Sequence, residues 1–141
     1  MTMAFEPRII GFLCDWCSRS IAETAGQARS ALPPSVRVVG VNCTGRVDPL
    51  LLITAYLHGA DGVLVVGCQP GQCHYKEGNY HARRRVALLK TIFETLDLDA
   101  GRLHIEWASD AEPGSIVDIA TAFETQVEGQ GPNAARSQMF C

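Results

Sequence analysis

Two hydrophobic rhythms alternate along this chain. Short apolar runs rich in β-branched residues, at 8–14 (RIIGFLC), 36–43 (VRVVGVNC) and 63–68 (VLVVGC), predict three strands, the first buried and the third covered on both faces. At 103–108 Leu103, Ile105 and Trp107 alternate with His104, Glu106 and Ala108, which predicts a fourth strand with a more polar face, at a sheet edge. Helical spacing fills the intervals. Ser18 or Ser20 can cap a first helix whose stripe is Ile21, Ala25, Ala28 and Leu32, and Pro33-Pro34 stops it. Asp48-Pro49 is an N-cap followed by proline at the first helical position, and Gly59 closes that helix. Its sequence, LLLITAYLH, is apolar nearly all round, so it is either buried between sheet and neighbours or covered by another protein. A third helix over 81–96 has Val86, Leu89, Phe93 and Leu96 as its inner stripe. The last begins at Ser115, with Asp118 three residues on, and turns Ile116, Ile119, Phe123 and Val127 inward.

Strand then helix, four times over, predicts an α/β fold. Right-handed crossovers make it a four-stranded parallel sheet with helices on both faces, flavodoxin-like in the order 2-1-3-4. A single domain over 1–128 accounts for the pattern. From Gly129 to Cys141 the composition turns to Gly, Pro, Asn, Ser and Gln, which predicts a flexible tail.

Composition narrows the function. The net charge of −3 offers no general attraction to nucleic acid. No apolar run approaches the roughly 20 residues of a membrane span, and the N-terminus lacks the pattern of a secretory signal; the expected location is the cytoplasm. A chain of 141 residues needs neither disulfide nor metal to hold a core. Its six cysteines therefore point to chemistry rather than to staples.

Five of those cysteines fall in the first half of the chain. Cys14 ends the first predicted strand, Cys43 the second and Cys68 the third, while Cys17 and Cys73 lie on the adjoining loops. Gly67 is expected to let the third strand turn out into its loop, and Pro70-Gly71 to fix a bend between Cys68 and Cys73. Neighbouring strands run about 4.8 Å apart, so the predicted topology lets these thiols converge at the sheet edge where α/β proteins bind ligands. Four or five thiolates gathered there fit an iron–sulfur centre. Two other readings compete: a thiol–disulfide oxidoreductase using Cys14 and Cys17, with Cys17 beside a helix N-terminus, and a structural zinc module. A phosphatase-type loop after Cys68 lacks the arginine it needs before Arg83, and flavin binding lacks a phosphate cradle. Cys141, at the end of the polar tail, is read as non-ligating.

The neighbours of the cysteines suggest supporting roles. His74 and Tyr75 adjoin the third cysteine loop and could hydrogen-bond to cluster sulfur, and Trp16 could shield the centre or belong to the core. Arg83, Arg84 and Arg85 place three cations in the first turns of a helix, where they oppose its dipole. An acidic partner would compensate them, although a solvated face explains them as well.

Taken together, CDWC (14–17), VNCTGRVDP (41–49) and GCQPGQCHYKEGNYHARRR (67–85) resemble the delta-subunit family of methyl-viologen-reducing hydrogenase, over about residues 8–128. That resemblance implies one [2Fe-2S] cluster held by four of Cys14, Cys17, Cys43, Cys68 and Cys73, without saying which four. It implies a non-catalytic electron relay in a larger, electron-bifurcating complex. The implied partners are the flavin- and iron–sulfur-bearing component of a heterodisulfide-reductase-like complex and an electron-donating hydrogenase, formate dehydrogenase or other module. Arg46 and Asp48 resemble loop and helix-cap residues of the second motif.

Overall fold

The structure is a computed structural model that describes residues 4–17, 32–108 and 115–137. Four strands, β1 (Ile9–Cys14), β2 (Val36–Val41), β3 (Gly62–Cys68) and β4 (Leu103–Ala108), form one sheet in the order β2-β1-β3-β4. Every pairing is parallel, as the strand–helix alternation requires. The register sets Leu13 beside Val66 and Cys68 beside Ala108. β3 is buried at every position, and β4 forms one edge with its middle residues half-buried.

Alternation along β3 divides the interior in two. Val63 and Val65 join Phe12, Leu52, Tyr56, Val86, Leu89 and Phe93 on one face, under helices α1 (Pro49–Leu57) and α2 (Gly78–Thr95). Leu64 and Val66 join Ile9, Leu13, Ile116, Phe123 and Val127 on the other, under α3 (Ser115–Gln130). Helices therefore cover both faces. The predicted first helix, with Ser18, Ser20, Ile21, Ala25 and Ala28, lies outside the described residues, although Leu32 packs against the α3-side core. Among the described residues no helix is long and apolar enough to cross a membrane.

α1 begins as its sequence predicts, with the Asp48 side chain accepting a hydrogen bond from Leu50 N at 2.8 Å and Pro49 at the first helical position. Only one of its faces is buried, by Leu52 and Tyr56, whereas Leu50, Leu51 and Leu57 are exposed. α2 starts three residues earlier than its apolar stripe suggests, directly after the third cysteine loop.

Two readings change. Gly67 does not turn the chain: β3 runs through it to Cys68, and the missing side chain makes room for Thr44, whose Oγ1 would stand 3.0 Å from a Cβ there. Residues 129–137 do not form a loose tail. α3 reaches Gln130, and Asn133, only 2% exposed, donates from Nδ2 to Tyr56 O at 2.9 Å and Ala60 O at 2.8 Å. The buried Asp61 accepts from Asn133 N at 2.8 Å, Arg8 N at 2.8 Å and Arg136 Nη1 at 3.1 Å. Arg102 donates to Gly131 O at 2.9 Å and Gln130 O at 3.3 Å, satisfying carbonyls at the end of α3. These groups knot the end of the sheet where β3 begins. Residues 138–141, with Cys141, lie outside the described residues.

Candidate metal centre

The opposite end of the sheet carries the thiols. Cys14 and Cys68 are the last residues of the adjacent strands β1 and β3, and their sulfurs stand 3.9 Å apart. Cys17, on the turn after β1, completes a group in which all three sulfurs lie within 4.8 Å of one another. Cys43 follows β2, and its sulfur is 3.8 Å from that of Cys73. All five are buried. The parallel sheet thus brings together every cysteine of the first three strand ends and their loops.

Local structure aims them. Cys43 caps a short 3-10 turn, Thr44–Arg46, and its sulfur accepts from Gly45 N at 3.4 Å. Between Cys68 and Cys73 the chain makes a β-turn in which Gln72 N donates to Gln69 O at 2.9 Å. Pro70 and Gly71, with Gly71 at φ +85°, fit the second and third positions of a type II turn. Asn79, fully buried in the first turn of α2, donates to Cys68 O at 3.0 Å and Gln69 O at 3.1 Å. Gly78 sits against Cys43, so a Cβ there would overlap the Cys43 sulfur and lie 3.3 Å from that of Cys73. The positive end of the α2 dipole consequently faces this pair.

The electrostatics favour a cation. Hydrogen bonding from Cys17, and then from Cys68, holds the Cys14 thiol far below its ordinary pKa. The Cys14 sulfur in turn drives Cys17 upward, and it raises Cys68 to about 12. Burial pushes Cys43 up, against the pull of the Gly45 amide. The trio accepts one negative charge readily and resists the next, as coupled acids do. A thiophilic cation removes that resistance, and a soft, all-sulfur donor set suits zinc or iron–sulfur chemistry.

Around the thiols, Trp16 and His74 stack with ring centroids 3.7 Å apart and planes 12° from parallel. Trp16 Nε1 also donates to the Tyr75 hydroxyl at 3.2 Å. These three residues clasp the first cysteine turn to the third cysteine loop, and Trp16 is 54% exposed, so it belongs to the surface rather than the core. A cavity of about 420 Å³ opens beside them, lined by Asn42, Cys43, Gly45, Arg46, Tyr75 and Gly78 among others.

The three arginines part company. Arg83 and Arg84 are exposed, and Arg84 Nη2 lies 3.5 Å from His81 Nδ1. Arg85 turns inward, donating from Nη1 to Gly45 O and, at 3.4 Å, to Val47 O. It braces the turn that carries Cys43. Neither this role nor that of Gly78 is legible in the motifs; the only local signal is a glycine and an asparagine where a helix with no side-chain cap begins.

The family model described as "Methyl-viologen-reducing hydrogenase, delta subunit" matches residues 9–131. The chain belongs to that family. It is 42% identical over 132 residues to an iron-sulfur subunit of the F420-non-reducing hydrogenase of Archaeoglobus profundus, covering 94% of this chain and 96% of that protein. The vhc iron-sulfur subunit of the F420-non-reducing hydrogenase in Methanococcus voltae is 39% identical, with 94% of this chain and 92% of that protein covered. A different arrangement occurs in Methanosarcina acetivorans. There 96% of this chain aligns, at 37% identity, with 17% of the length of one subunit of the ferredoxin/F(420)H(2)-dependent CoB-CoM heterodisulfide reductase. The same domain is therefore found both on its own, as a small subunit, and as a segment of a larger protein.

Proposed function

We propose that this chain is a non-catalytic electron-transfer subunit carrying one [2Fe-2S] cluster on its cysteine pocket. The observation that carries the reading is the convergence of five buried thiols at one sheet end, in two groups with close sulfur–sulfur approaches of 3.9 and 3.8 Å. When bound, the cluster supplies a one-electron carrier. The chain's own residues hold it, exclude water from it and present it near the surface beside Trp16, His74 and Tyr75. The names of its relatives support the iron–sulfur assignment and describe those proteins as parts of a hydrogenase and of a heterodisulfide reductase. The partners that follow are a flavin- and iron–sulfur-bearing component of heterodisulfide-reductase type and an electron-donating module, in the cytoplasm.

Anaerobic purification tests this. The expected protein is brown, contains two irons and two sulfides per chain, and gives an electron paramagnetic resonance signal on reduction. A colourless, iron-free chain with fast disulfide exchange at Cys14 and Cys17 would establish the oxidoreductase reading instead, and stoichiometric zinc would establish a structural module.

A further inference from the structure

The surface over the thiols carries a charge that the chain as a whole does not. The net charge is −3, yet Arg46 and His81 line the recess beside Cys43 together with Tyr75 and Glu77. Arg84 adjoins them, its Nη2 3.5 Å from His81 Nδ1. Lys76 follows Tyr75 in the chain, and Arg46, Lys76 and Arg84 are all exposed. Against these cations stand Asp15 on the first cysteine turn and Glu77, whose carboxylate is 3.9 Å from His81 Nε2 and 76% exposed. Among the described residues, no ion pair holds Arg46 or Arg84.

Helix stability does not account for this arrangement. α2 has no acidic residue in its first turn and no basic residue in its last; Arg83, Arg84 and Arg85 stand near its start and Glu94 near its end. Both placements oppose the helix dipole. Arg85 is used within the chain, on the carbonyls of Gly45 and Val47, which leaves Arg84 facing outward. Beside this cationic rim, Trp16 and Tyr75 are 54% and 51% exposed, joined edge to face and by the hydrogen bond from Trp16 Nε1 to the Tyr75 hydroxyl. Exposed aromatic rings inside a charged rim have the composition of a protein interface: aromatic at the centre, polar at the edge.

We propose that this end of the molecule is the docking face for the acidic surface of a one-electron carrier protein, with Trp16 and Tyr75 at the centre of the contact and Arg46, His81 and Arg84 on its rim. The proposal rests on the electron-transfer reading above and adds the chemistry of the partner that approaches the thiol pocket directly. Carboxylates on that partner complement the rim and steer its approach, and salt screens the attraction. A basic partner is turned away from this face, although the net charge of the chain would attract it.

Two protein probes of opposite charge test this on the full, iron-loaded chain by isothermal titration calorimetry: an acidic plant-type ferredoxin and basic cytochrome c. At low salt the ferredoxin is expected to bind roughly tenfold more tightly, and to weaken as salt is added; equal affinities, or the reverse order that the net charge favours, would overturn the proposal. Arg46→Glu with Arg84→Glu should abolish that preference, and Arg84→Glu alone should reduce it several-fold, which keeps the comparison open if the Arg46 change costs iron. Arg46→Lys with Arg84→Lys should bind as wild type does, and a loss as large as that of the glutamate pair would overturn the role of charge. Trp16→Ala should weaken ferredoxin binding several-fold with its salt dependence unchanged; unaltered affinity would remove Trp16 from the contact. A second readout needs no metal. With Trp107→Phe, Trp16 is the only tryptophan left, and its fluorescence should be quenched more by iodide and less by caesium, each relative to free tryptophan amide, with the order reversed in the glutamate pair. Stronger quenching by caesium would overturn the cationic face whether or not iron is bound, whereas an iron-free wild-type chain that still favours iodide would overturn only the electron-transfer reading.

Discussion

Gly78 shows how little freedom a single position has at this site. A methyl group there would overlap the Cys43 sulfur, which Gly45 N and Cys73 hold from other sides. Alanine is the better helix former by up to about 1 kcal/mol, and Gly78 lies in α2, so propensity alone favours the substitution. Overpacking opposes it at about 1–3 kcal/mol. Overpacking wins here, because the obstructing atom is a proposed ligand rather than the free end of a side chain. Gly78→Ala is therefore expected to lower the thermal midpoint and to lose most bound iron. Gly129→Ala supplies the contrast. It lies in α3 with nothing within 4 Å of a built Cβ, so alanine there should stabilise by about 0.5–1 kcal/mol with the spectrum unchanged. Comparable losses from both would mean that Gly78 acts through helix packing alone. None of this is written in the motifs, where Gly78 is one glycine among several; its role depends on Cys43, thirty-five positions earlier.

As an element, α2 does two jobs with opposite faces. Inward, Asn79 grips the carbonyls of Cys68 and Gln69, and Arg85 grips those of Gly45 and Val47, so one helix holds two cysteine loops in mutual register. Outward, Arg83 and Arg84 are exposed. Asn79→Ala leaves the buried Cys68 carbonyl and the part-buried Gln69 carbonyl without that donor and should cost about 1–3 kcal/mol, together with weaker iron retention. The double variant Arg83→Ala, Arg84→Ala should stay within about 0.5 kcal/mol of wild type. Its effect is expected in assembly, as weaker binding to the partner complex at low salt and a smaller salt dependence. Equal affinity across salt concentrations would make both arginines merely solvated. A helical repeat separates stripe from surface, but it cannot say that Arg85 has backbone carbonyls to reach on another loop.

At the scale of the molecule, the parts legible in sequence are those that depend on local periodicity. Four strands, the Asp48 cap, the parallel order and the meeting of strand-end cysteines follow from apolar runs and the handedness of crossovers. The illegible parts depend on distant partners. Asn133 reads as a polar loop residue, yet its acceptors are Tyr56, Ala60 and, for its amide, Asp61, more than seventy positions away. The resulting knot lies at the start of β3, and the thiols lie at its end; seven residues of strand separate them, about 20 Å at the usual rise. Mutational effects on sites that far apart, with no shared partner, are usually additive. Asp61→Ala strands the Asn133 and Arg8 amides and the Arg136 guanidinium, and should destabilise by on the order of 3 kcal/mol. Its iron content and resonance line shape at 25 °C should nevertheless match wild type. Removing the metal should do the converse: both cores are built largely from Val, Leu, Ile and Phe, so the chain stripped of iron should keep its far-ultraviolet circular dichroism while its visible absorption disappears. Melting experiments that follow both signals in both proteins decide the matter. If chelation unfolds the chain, the pocket is a structural staple, and the division between a scaffold end and a redox end fails.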